Sequence, residues 1–393
     1  ALERGAKAVV VDQATVVPSE DQRAQAYYLV PNALAALQDL ATYHRQQLQI
    51  PVISIGGSNG KTTTKALITH VLEQGYHVHA TPGNWNNYIG LPLTLLHLKA
   101  DHEIAVLELG ANQPDEYRQL CQIAQPDHGL ITNIGLDHLE GYGSFQGVVK
   151  AHAEITTYLK AQNGLLFLNK ADPNLTALGE ALHTVTYGPA AREGSGPPAY
   201  SGTITQRLPA LSVAIQDERG QVNYEVNTQL YGSYNFSNVM AAVAVGHYFK
   251  LSADQVKKGI VHYQPLNNRS QQISYKGAQV ILDAYNANPT SMAEAMGDFE
   301  ALTARCRIAI LGDMYELGTY TESEHQRILA LAEGYTFQAV YVGEYFYQFR
   351  KNYKGLFYND TSQLKRWWQD QTFTDCWILL KGSRGVALES LLA

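Results

Sequence analysis

The sequence predicts an α/β protein made of two consecutive units, each with a mostly parallel sheet. Apolar runs of strand length alternate with helix-length segments through residues 52–168, and the same alternation returns through residues 280–380. Between the two series, residues 187–229 contain alternating segments that predict antiparallel hairpins. A chain of 393 residues is too long for one ordinary core, so we expect two or three domains.

The composition is that of an ordinary globular protein and excludes several classes of function. The net charge is −7, with 29 Lys and Arg against 36 Asp and Glu, so no overall field favours nucleic acid or an anionic membrane. No apolar run approaches the roughly 18 residues of a membrane span, and no signal peptide is visible. The three cysteines, Cys121, Cys306 and Cys376, are widely spaced and lack a CxxC pair. They predict buried, inert thiols in a reducing compartment, and their spacing argues against a zinc site. Together these features predict a cytoplasmic protein.

The first part of the chain predicts the end of a small α/β domain whose earlier portion is absent. A short strand is expected at residues 8–11, and a helix at residues 33–47 with Asn32 as its cap. Leu34, Leu37 and Leu40 share one face of that helix, which leads directly into the next strand.

The stretch from Pro51 to Lys65 predicts a phosphate-binding loop between a strand and a helix. Residues 52–55 form a buried strand, and the glycines that follow allow backbone N–H groups to surround phosphate oxygens. Lys61 can reach the terminal phosphates, and the Thr62 hydroxyl can bind Mg²⁺. The spacing Gly-x-x-Gly-Lys-Thr is shorter than the usual form. A glycine turn after a strand is often only structural, but a lysine and three threonines favour nucleotide binding.

Polar residues follow the predicted strands at 104–109 and 129–134, at the edge where parallel sheets gather ligands. Glu108 is expected to bind the Mg²⁺ of a nucleotide. A capping role is the alternative, but a charge inside an apolar strand needs a partner. His138 is a candidate ligand of a second metal ion, only modestly preferred over a satisfied loop histidine.

An amide cluster lies between the first two strands of this series. It comprises Asn84, Asn86 and Asn87 in TPGNWNNYIG. Turn chemistry explains one asparagine, and three indicate contacts with a polar ligand.

The second unit is predicted to close over the first. Its candidate strands are residues 280–283, 308–312, 339–343 and 377–380. We place a hinge at residues 263–267, so the two units should form a cleft that closes over substrate.

Eight segments in the same order resemble the Mur ligases across nearly the whole chain. They are GSNGKTTTK, GNWNNYIGLPLTLL, LELGAN, ITNIGLDHLEGYGS, YGSYNFSNVMAA, LDAYNANPTSM, LGDMYELG and KGSR. The resemblance implies a three-domain Mur ligase architecture. Residues 1–48 would be a remnant of a truncated N-terminal domain that binds a UDP-sugar. Residues 49–264 would form a central P-loop ATPase domain with a parallel sheet, and residues 265–393 a C-terminal Rossmann-like domain.

The implied activity is ATP-dependent amide formation through an acyl phosphate, with Mg²⁺. The resemblance is strongest to members that join D-Ala-D-Ala to UDP-MurNAc-tripeptide for peptidoglycan, and it implies a cytoplasmic monomer with small-molecule substrates. It leaves open whether the third residue of the tripeptide is lysine or diaminopimelate. Two alternatives stay open: a ligase for a different acid and amine, and a nucleotide-binding homologue without catalysis.

The resemblance also implies roles for individual residues. The catalytic group would be Lys61, Glu108, His138 and His152, with Thr62, Glu108 and His138 as metal ligands. ATP would contact Gly57, Ser58, Asn59, Gly60, Lys61, Thr62, Thr63, Asn235, Asn238, Arg269 and Asp283. The substrate-binding group is predicted to be Asn84, Asn86, Asn87, Tyr285, Asn286 and Asn288.

His152 is where the chain departs from the family. Mur ligases usually carry a carbamylated lysine fourteen residues after the metal histidine, and imidazole cannot become a carbamate. Lys150 lies about 200° around the helix and cannot simply substitute. Either His152 serves the site directly, or the second metal binds more weakly, or His152 is only a helix residue.

Overall fold

The computed structural model describes residues 2–17, 26–190 and 196–392, and their strands form three sheets. A small parallel pair comes first, formed by β1 (Val9–Val11) and β2 (Tyr27–Leu29). Helix α1 (Ala33–Gln47) follows, and the Asn32 side chain accepts a hydrogen bond of 2.9 Å from the Ala35 amide. The predicted helix cap is therefore confirmed.

The second sheet has nine strands and is parallel over most of its width. Its strands are β3 (Val52–Gly56), β4 (Val78–Ala80), β5 (Ile104–Glu108), β6 (His128–Ile131), β7 (Leu165–Asn169), β8 (His183–Pro189), β9 (Tyr200–Gln206), β10 (Ser212–Asp217) and β11 (Asn223–Asn227). The order is β11-β10-β9-β8-β7-β6-β3-β5-β4, with antiparallel pairing only from β9 to β11. The predicted antiparallel segment is confirmed. Because β3 lies between β5 and β6, the loops that follow these three strands open at one edge.

Helices cover both faces of this sheet. They are α2 (Lys61–Leu72), α3 (Gly90–Leu96), α4 (Glu116–Ala124), α5 (Leu139–Tyr142), α6 (Phe145–Ala161), α7 (Pro173–Leu178), α8 (Phe236–Tyr248) and α9 (Ala253–His262). Ile53 and Ile55 pack with α2, α8 and α9, whereas Val52 belongs to the cluster that includes α1, α3, α4 and α6. Successive side chains of β3 thus enter opposite cores, which explains its continuous apolar sequence.

The third sheet has six strands and carries the C-terminal unit. Its strands are β12 (Gln271–Tyr275), β13 (Ala278–Asp283), β14 (Cys306–Gly312), β15 (Gln338–Val342), β16 (Leu356–Tyr358) and β17 (Cys376–Lys381), in the order β12-β13-β17-β14-β15-β16. Its helices are α10 (Pro289–Glu300), α11 (Thr321–Glu333), α12 (Glu344–Tyr347) and α13 (Thr361–Gln369). Only β12 runs antiparallel to its neighbour. The predicted α/β class, with two largely parallel sheets, is confirmed.

Two sequence predictions are wrong. The strand expected at residues 129–134 ends at Ile131, because Thr132 turns to donate a hydrogen bond of 2.6 Å to the Asn59 carbonyl. Cys306 and Cys376 are not free thiols: they form a disulfide, because β14 and β17 pair in the register that places them opposite each other. The separation of 70 residues gave no sign of this pairing. Cys121 is buried and free, as predicted.

The described helices include none that is both long and apolar enough to cross a membrane.

Candidate active site

A polar cavity of about 310 Å³ lies between the carboxyl ends of the two large sheets. It brings together nearly all residues predicted to form the site. Those that line it are Ser58, Asn59, Gly60, Lys61, Thr62, Thr63, Asn84, Asn86, Asn87, Glu108, His138, Asn235, Asn238, Arg269, Asp283, Tyr285, Asn286 and Asn288. Gly57 and His152 do not line it. The cavity therefore combines loops from both units, although they are far apart in sequence.

The phosphate loop depends on glycine at two positions. Gly57 has φ of 126°, and a Cβ atom there would lie 2.0 Å from Oγ1 of Thr132. Gly60 has φ of 80° immediately before α2, and its Cβ would lie 2.7 Å from Oδ1 of Asn238. A Cβ at either position would clash with these side chains, and the positive φ disfavours other residues. Glycine thus allows the loop to pass close to the side chains behind it.

Lys61 folds back over this loop. Its Nζ donates hydrogen bonds to the carbonyl oxygens of Gly57 and Ser58. Burial lowers the pKa of Lys61, and the carboxylates of Asp137 and Glu108 oppose that shift. Asp137 also accepts a hydrogen bond of 2.5 Å from the Ser58 hydroxyl. The ammonium group is held at the start of α2, where the N–H groups of a helix attract anions.

Glu108 is buried, with 2% of its surface exposed, at the end of β5. Its Oε1 accepts hydrogen bonds from Thr62 at 3.1 Å and from Asn86 at 2.9 Å. Its Oε2 lies 3.1 Å from Nζ of Lys65 but receives no hydrogen bond of favourable geometry. A buried carboxylate oxygen with spare capacity, beside a threonine hydroxyl, fits the oxygen ligands that Mg²⁺ prefers.

Lys65 was missed as a site residue by the sequence analysis. It lies one helical turn after Lys61 and neutralises Glu108, while donating a hydrogen bond of 2.7 Å to the Gly83 carbonyl. The signal was present in the sequence, because a second lysine follows four residues after the first in GKTTTK.

His138 connects the two units. Its Nδ1 lies 2.6 Å from Oε2 of Glu316, which follows β14 in the C-terminal unit. The adjacent His138 ring lowers the pKa of Glu316. Nδ1 makes no hydrogen bond of favourable geometry, but a ring that turns Nδ1 toward a carboxylate leaves Nε2 available to bind a metal ion. Glu316 was also missed, because nothing near His138 in the sequence indicates its partner.

Two buried asparagines join α8 to the phosphate loop. Asn238 donates a hydrogen bond of 2.9 Å to Asn235 and accepts one of 2.9 Å from the Thr64 hydroxyl. Asn235 in turn donates to the Tyr231 carbonyl at 2.7 Å. The contacts fix the start of α8 against α2, beside the cavity.

The C-terminal unit contributes a charged wall. Asp283 lies 2.7 Å from Nζ of Lys381 and accepts a hydrogen bond from the Ser270 amide at 3.1 Å. The guanidinium of Arg269 lies 3.8 Å above the ring of Tyr285, and its Nε is buried without a hydrogen-bond partner. A buried donor of this kind is suited to a ligand that brings an acceptor.

The remaining asparagines line the cavity and also make hydrogen bonds within the protein. Asn288 donates a hydrogen bond of 2.8 Å to Asn59 of the phosphate loop and caps α10. Asn87 accepts hydrogen bonds from the Ile89 and Gly90 amides. Asn286 accepts one from the Ala287 amide at 2.9 Å. Within the amide cluster, turn chemistry thus explains Asn87, whereas Asn86 contacts Glu108.

His152 is fully buried in α6, behind the phosphate loop. Its Nδ1 donates to the Val148 carbonyl at 2.8 Å, and its Nε2 lies 3.4 Å from the hydroxyl of Tyr117. That hydroxyl accepts from the Gly57 amide at 3.5 Å. Burial lowers the pKa of His152, which keeps the ring neutral.

The fold and the cavity define a phosphate-loop nucleotide-binding protein with a second α/β unit closed over its site. The Mur ligase middle domain matches residues 55–246, and the Mur ligase glutamate ligase domain matches residues 268–383. The chain belongs to the Mur ligase family.

Relatives match along the full length of the chain. A Bacillus subtilis protein named UDP-N-acetylmuramoyl-tripeptide--D-alanyl-D-alanine ligase is 34% identical over all of this chain and 85% of its own length. A Treponema pallidum protein of the same name is 32% identical over all of this chain and 86% of its own. Among solved structures, MurF from Acinetobacter baumannii superposes with a TM-score of 0.87 at 27% identity, covering 99% of this chain and 85% of that one.

Proposed function

We propose that this chain is an ATP-dependent ligase that adds D-Ala-D-Ala to UDP-MurNAc-tripeptide during peptidoglycan synthesis. The observation that carries the proposal is the full-length similarity to the Bacillus subtilis ligase, at 34% identity. The cavity agrees with it, because it combines a phosphate loop with polar side chains from a second unit. Such a ligase consumes ATP, so we place it in the cytoplasm. We further propose that it acts as a monomer and that its substrates are small molecules.

In the proposed reaction, the tripeptide carboxylate attacks the γ-phosphate of ATP and releases ADP. The amine of D-Ala-D-Ala then attacks the acyl phosphate, and loss of phosphate leaves the amide. The protein contributes mainly positioning and charge neutralisation, as in other phosphoryl transfers. Lys61 and the N–H groups at the start of α2 would hold the terminal phosphates, and Arg269 would approach from the C-terminal unit.

Thr62 and Glu108 would hold Mg²⁺, which supplies further neutralisation of phosphate charge when bound. Lys65, whose Nζ lies 3.1 Å from Oε2 of Glu108, would hold that carboxylate in position. His138, oriented by Glu316, has its Nε2 available for a second ion.

For His152 we propose a supporting role behind the phosphate loop. Its neutral Nε2 accepts a hydrogen bond from the Tyr117 hydroxyl, and that hydroxyl accepts one from the Gly57 amide. This arrangement favours the interpretation of His152 as a helix residue that positions the loop over the interpretation as a direct ligand. It also leaves the lysine carbamate of the family without an equivalent in this chain.

The test is release of phosphate from ATP and Mg²⁺ with UDP-MurNAc-tripeptide, with and without D-Ala-D-Ala. It is run on the native protein, on His152→Lys and on Lys61→Ala as the inactive control. Release by the native protein that requires the dipeptide supports the proposal. Activity in the lysine variant alone would show that the second-metal site has decayed.

If neither the native protein nor His152→Lys releases phosphate, the proposal is overturned. Phosphate release with other acids or amines would then indicate a ligase for a different acid and amine. No release with any of them would indicate a nucleotide-binding homologue without catalysis.

A further inference from the structure

A cluster of imidazoles and a carboxylate lies at the outer edge of the central sheet, at the end opposite the cavity. His77 precedes the edge strand β4, and His79 lies within it, two residues on and therefore on the same face. Asp101 and His102 lie just before β5, the neighbour of β4. These residues have no part in the proposed reaction.

The donor atoms of this cluster are already close together. One ligand atom from each of His77, Asp101 and His102 lies within 4.8 Å of the other two. The ring centroid of His102 is 4.5 Å from that of His77 and 5.0 Å from that of His79. Metal bonds of about 2.0–2.2 Å place tetrahedral ligands about 3.3 Å apart. The separations of these atoms therefore exceed that spacing by about 1.5 Å at most. The side chains of His77 and Asp101 are exposed and can rotate.

Hydrogen bonds leave lone pairs available on two of the rings. His77 donates from Nδ1 to the Asp101 carbonyl at 3.0 Å, so its Nε2 is free. A backbone carbonyl on the other ring nitrogen is the usual support for a metal-binding histidine. His79 donates from Nε2 to the Thr94 carbonyl at 2.9 Å, which leaves its Nδ1 free.

His102 is the ring that must adjust. Its Nδ1 accepts from the Lys99 amide at 2.9 Å. Coordination through Nε2 moves the ring proton to Nδ1 and releases that amide, which lies in an exposed turn.

We propose that His77, Asp101 and His102, with His79 beside them, bind one divalent transition-metal ion of the Zn²⁺ class. Two or three imidazoles with one carboxylate suit such an ion and not Mg²⁺ or Ca²⁺, which take oxygen ligands. The ion would join the start of the edge strand β4 to the start of β5. Its effect would be to stabilise the outer edge of the sheet that carries Glu108.

The experiment measures binding of Zn²⁺ alone, by competition with a chromophoric chelator in saturating Mg²⁺. It compares the native protein with His77→Ala/His102→Ala and with His262→Ala, which removes an exposed histidine of α9. We expect the double variant to bind one equivalent fewer, or to bind it at least about tenfold more weakly. Zn²⁺ should also raise the melting temperature of the native protein and of His262→Ala, but not that of the double variant.

Circular dichroism without metal checks that the double variant folds. If it does not, His77→Gln/His102→Gln keeps side-chain size and polarity and provides the same comparison. Equal Zn²⁺ binding by native and variant proteins, or no Zn²⁺ binding by the native protein, would overturn the proposal.

Discussion

The ammonium group of Lys61 is held at the phosphate loop by two backbone carbonyl oxygens. A phosphate that enters the loop offers it a stronger, charged partner, and the charge on that partner grows as phosphoryl transfer proceeds. We expect Lys61→Ala to lower kcat by about 100-fold or more, with a smaller loss in ADP affinity. Phosphate release and calorimetric ADP binding would measure the two effects.

Lys160→Ala provides the control for that comparison, because Lys160 is exposed at the end of α6. It should leave both quantities unchanged. A Lys61→Ala protein that loses ADP binding as strongly as turnover would show that the lysine acts mainly in nucleotide binding.

Individual residues were predictable where their chemistry depends on sequence neighbours. The glycines and Lys61 follow a strand directly, and Glu108 stands out as a charge inside an apolar run. Their partners were not predictable when they come from distant segments. Glu316, which contacts His138, is supplied by the other unit, and the Tyr117 hydroxyl that connects His152 to the loop comes from another helix.

Helix α11 is attached to the loop after β14 through a fully buried histidine. Nε2 of His325 accepts from the Met314 amide at 3.1 Å, and Nδ1 donates to the Thr321 carbonyl at 2.6 Å. This pattern requires a neutral ring, and burial lowers the pKa of His325 to about 4. The neighbouring Asp313 carboxylate is therefore not neutralised by it, and burial raises the pKa of Asp313 to about 6.

The depressed pKa of His325 predicts that this residue makes the C-terminal unit sensitive to acid, while the raised pKa of Asp313 opposes the effect as pH falls through 6. The unfolded chain takes up a proton at pH about 6.5 and the folded chain only near 4, so stabilisation is full above 6.5 and lost as pH falls through 4. Between pH 7 and pH 5 the loss from this residue is about 2 kcal/mol. His325→Gln should show a free energy of unfolding less dependent on pH by that amount.

Urea unfolding followed by tryptophan fluorescence measures this difference, because three of the four tryptophans lie in the C-terminal unit. His262→Gln, at an exposed position, should keep the native pH dependence. An unchanged pH dependence in His325→Gln would contradict the assignment.

Elements were predictable where burial is continuous. Strands β3, β5 and β14 are apolar runs because both of their faces are covered. Strands β4, β12 and β16 were missed, since each is an edge strand of its sheet and none of its residues is fully buried. The sequence also did not indicate which strands are neighbours. The disulfide between β14 and β17 therefore could not be predicted.

Contacts across the cleft hold the two units in a closed arrangement. Asn288 donates to Asn59 at 2.8 Å, and the Leu136 amide donates to the Thr290 hydroxyl at 3.1 Å. Farther from the cavity, Asp298 accepts from both the amide and the hydroxyl of Ser233, each at 2.6 Å. Closure thus combines one contact between cavity-lining residues with two that lie outside the cavity lining.

The Asp298 contact allows closure to be tested at a residue that does not line the cavity. Hydrogen bonds to a carboxylate contribute about 1.5–3 kcal/mol, so Asp298→Ala should favour the open arrangement. We expect a larger radius of gyration in small-angle X-ray scattering and kcat/KM lower by about tenfold to 100-fold.

Asp370→Ala, at an exposed position of the same unit, should change neither quantity. A variant that stays compact yet loses activity would show that Asp298 acts on the site by another route. One that opens without losing activity would show that closure is not needed for turnover.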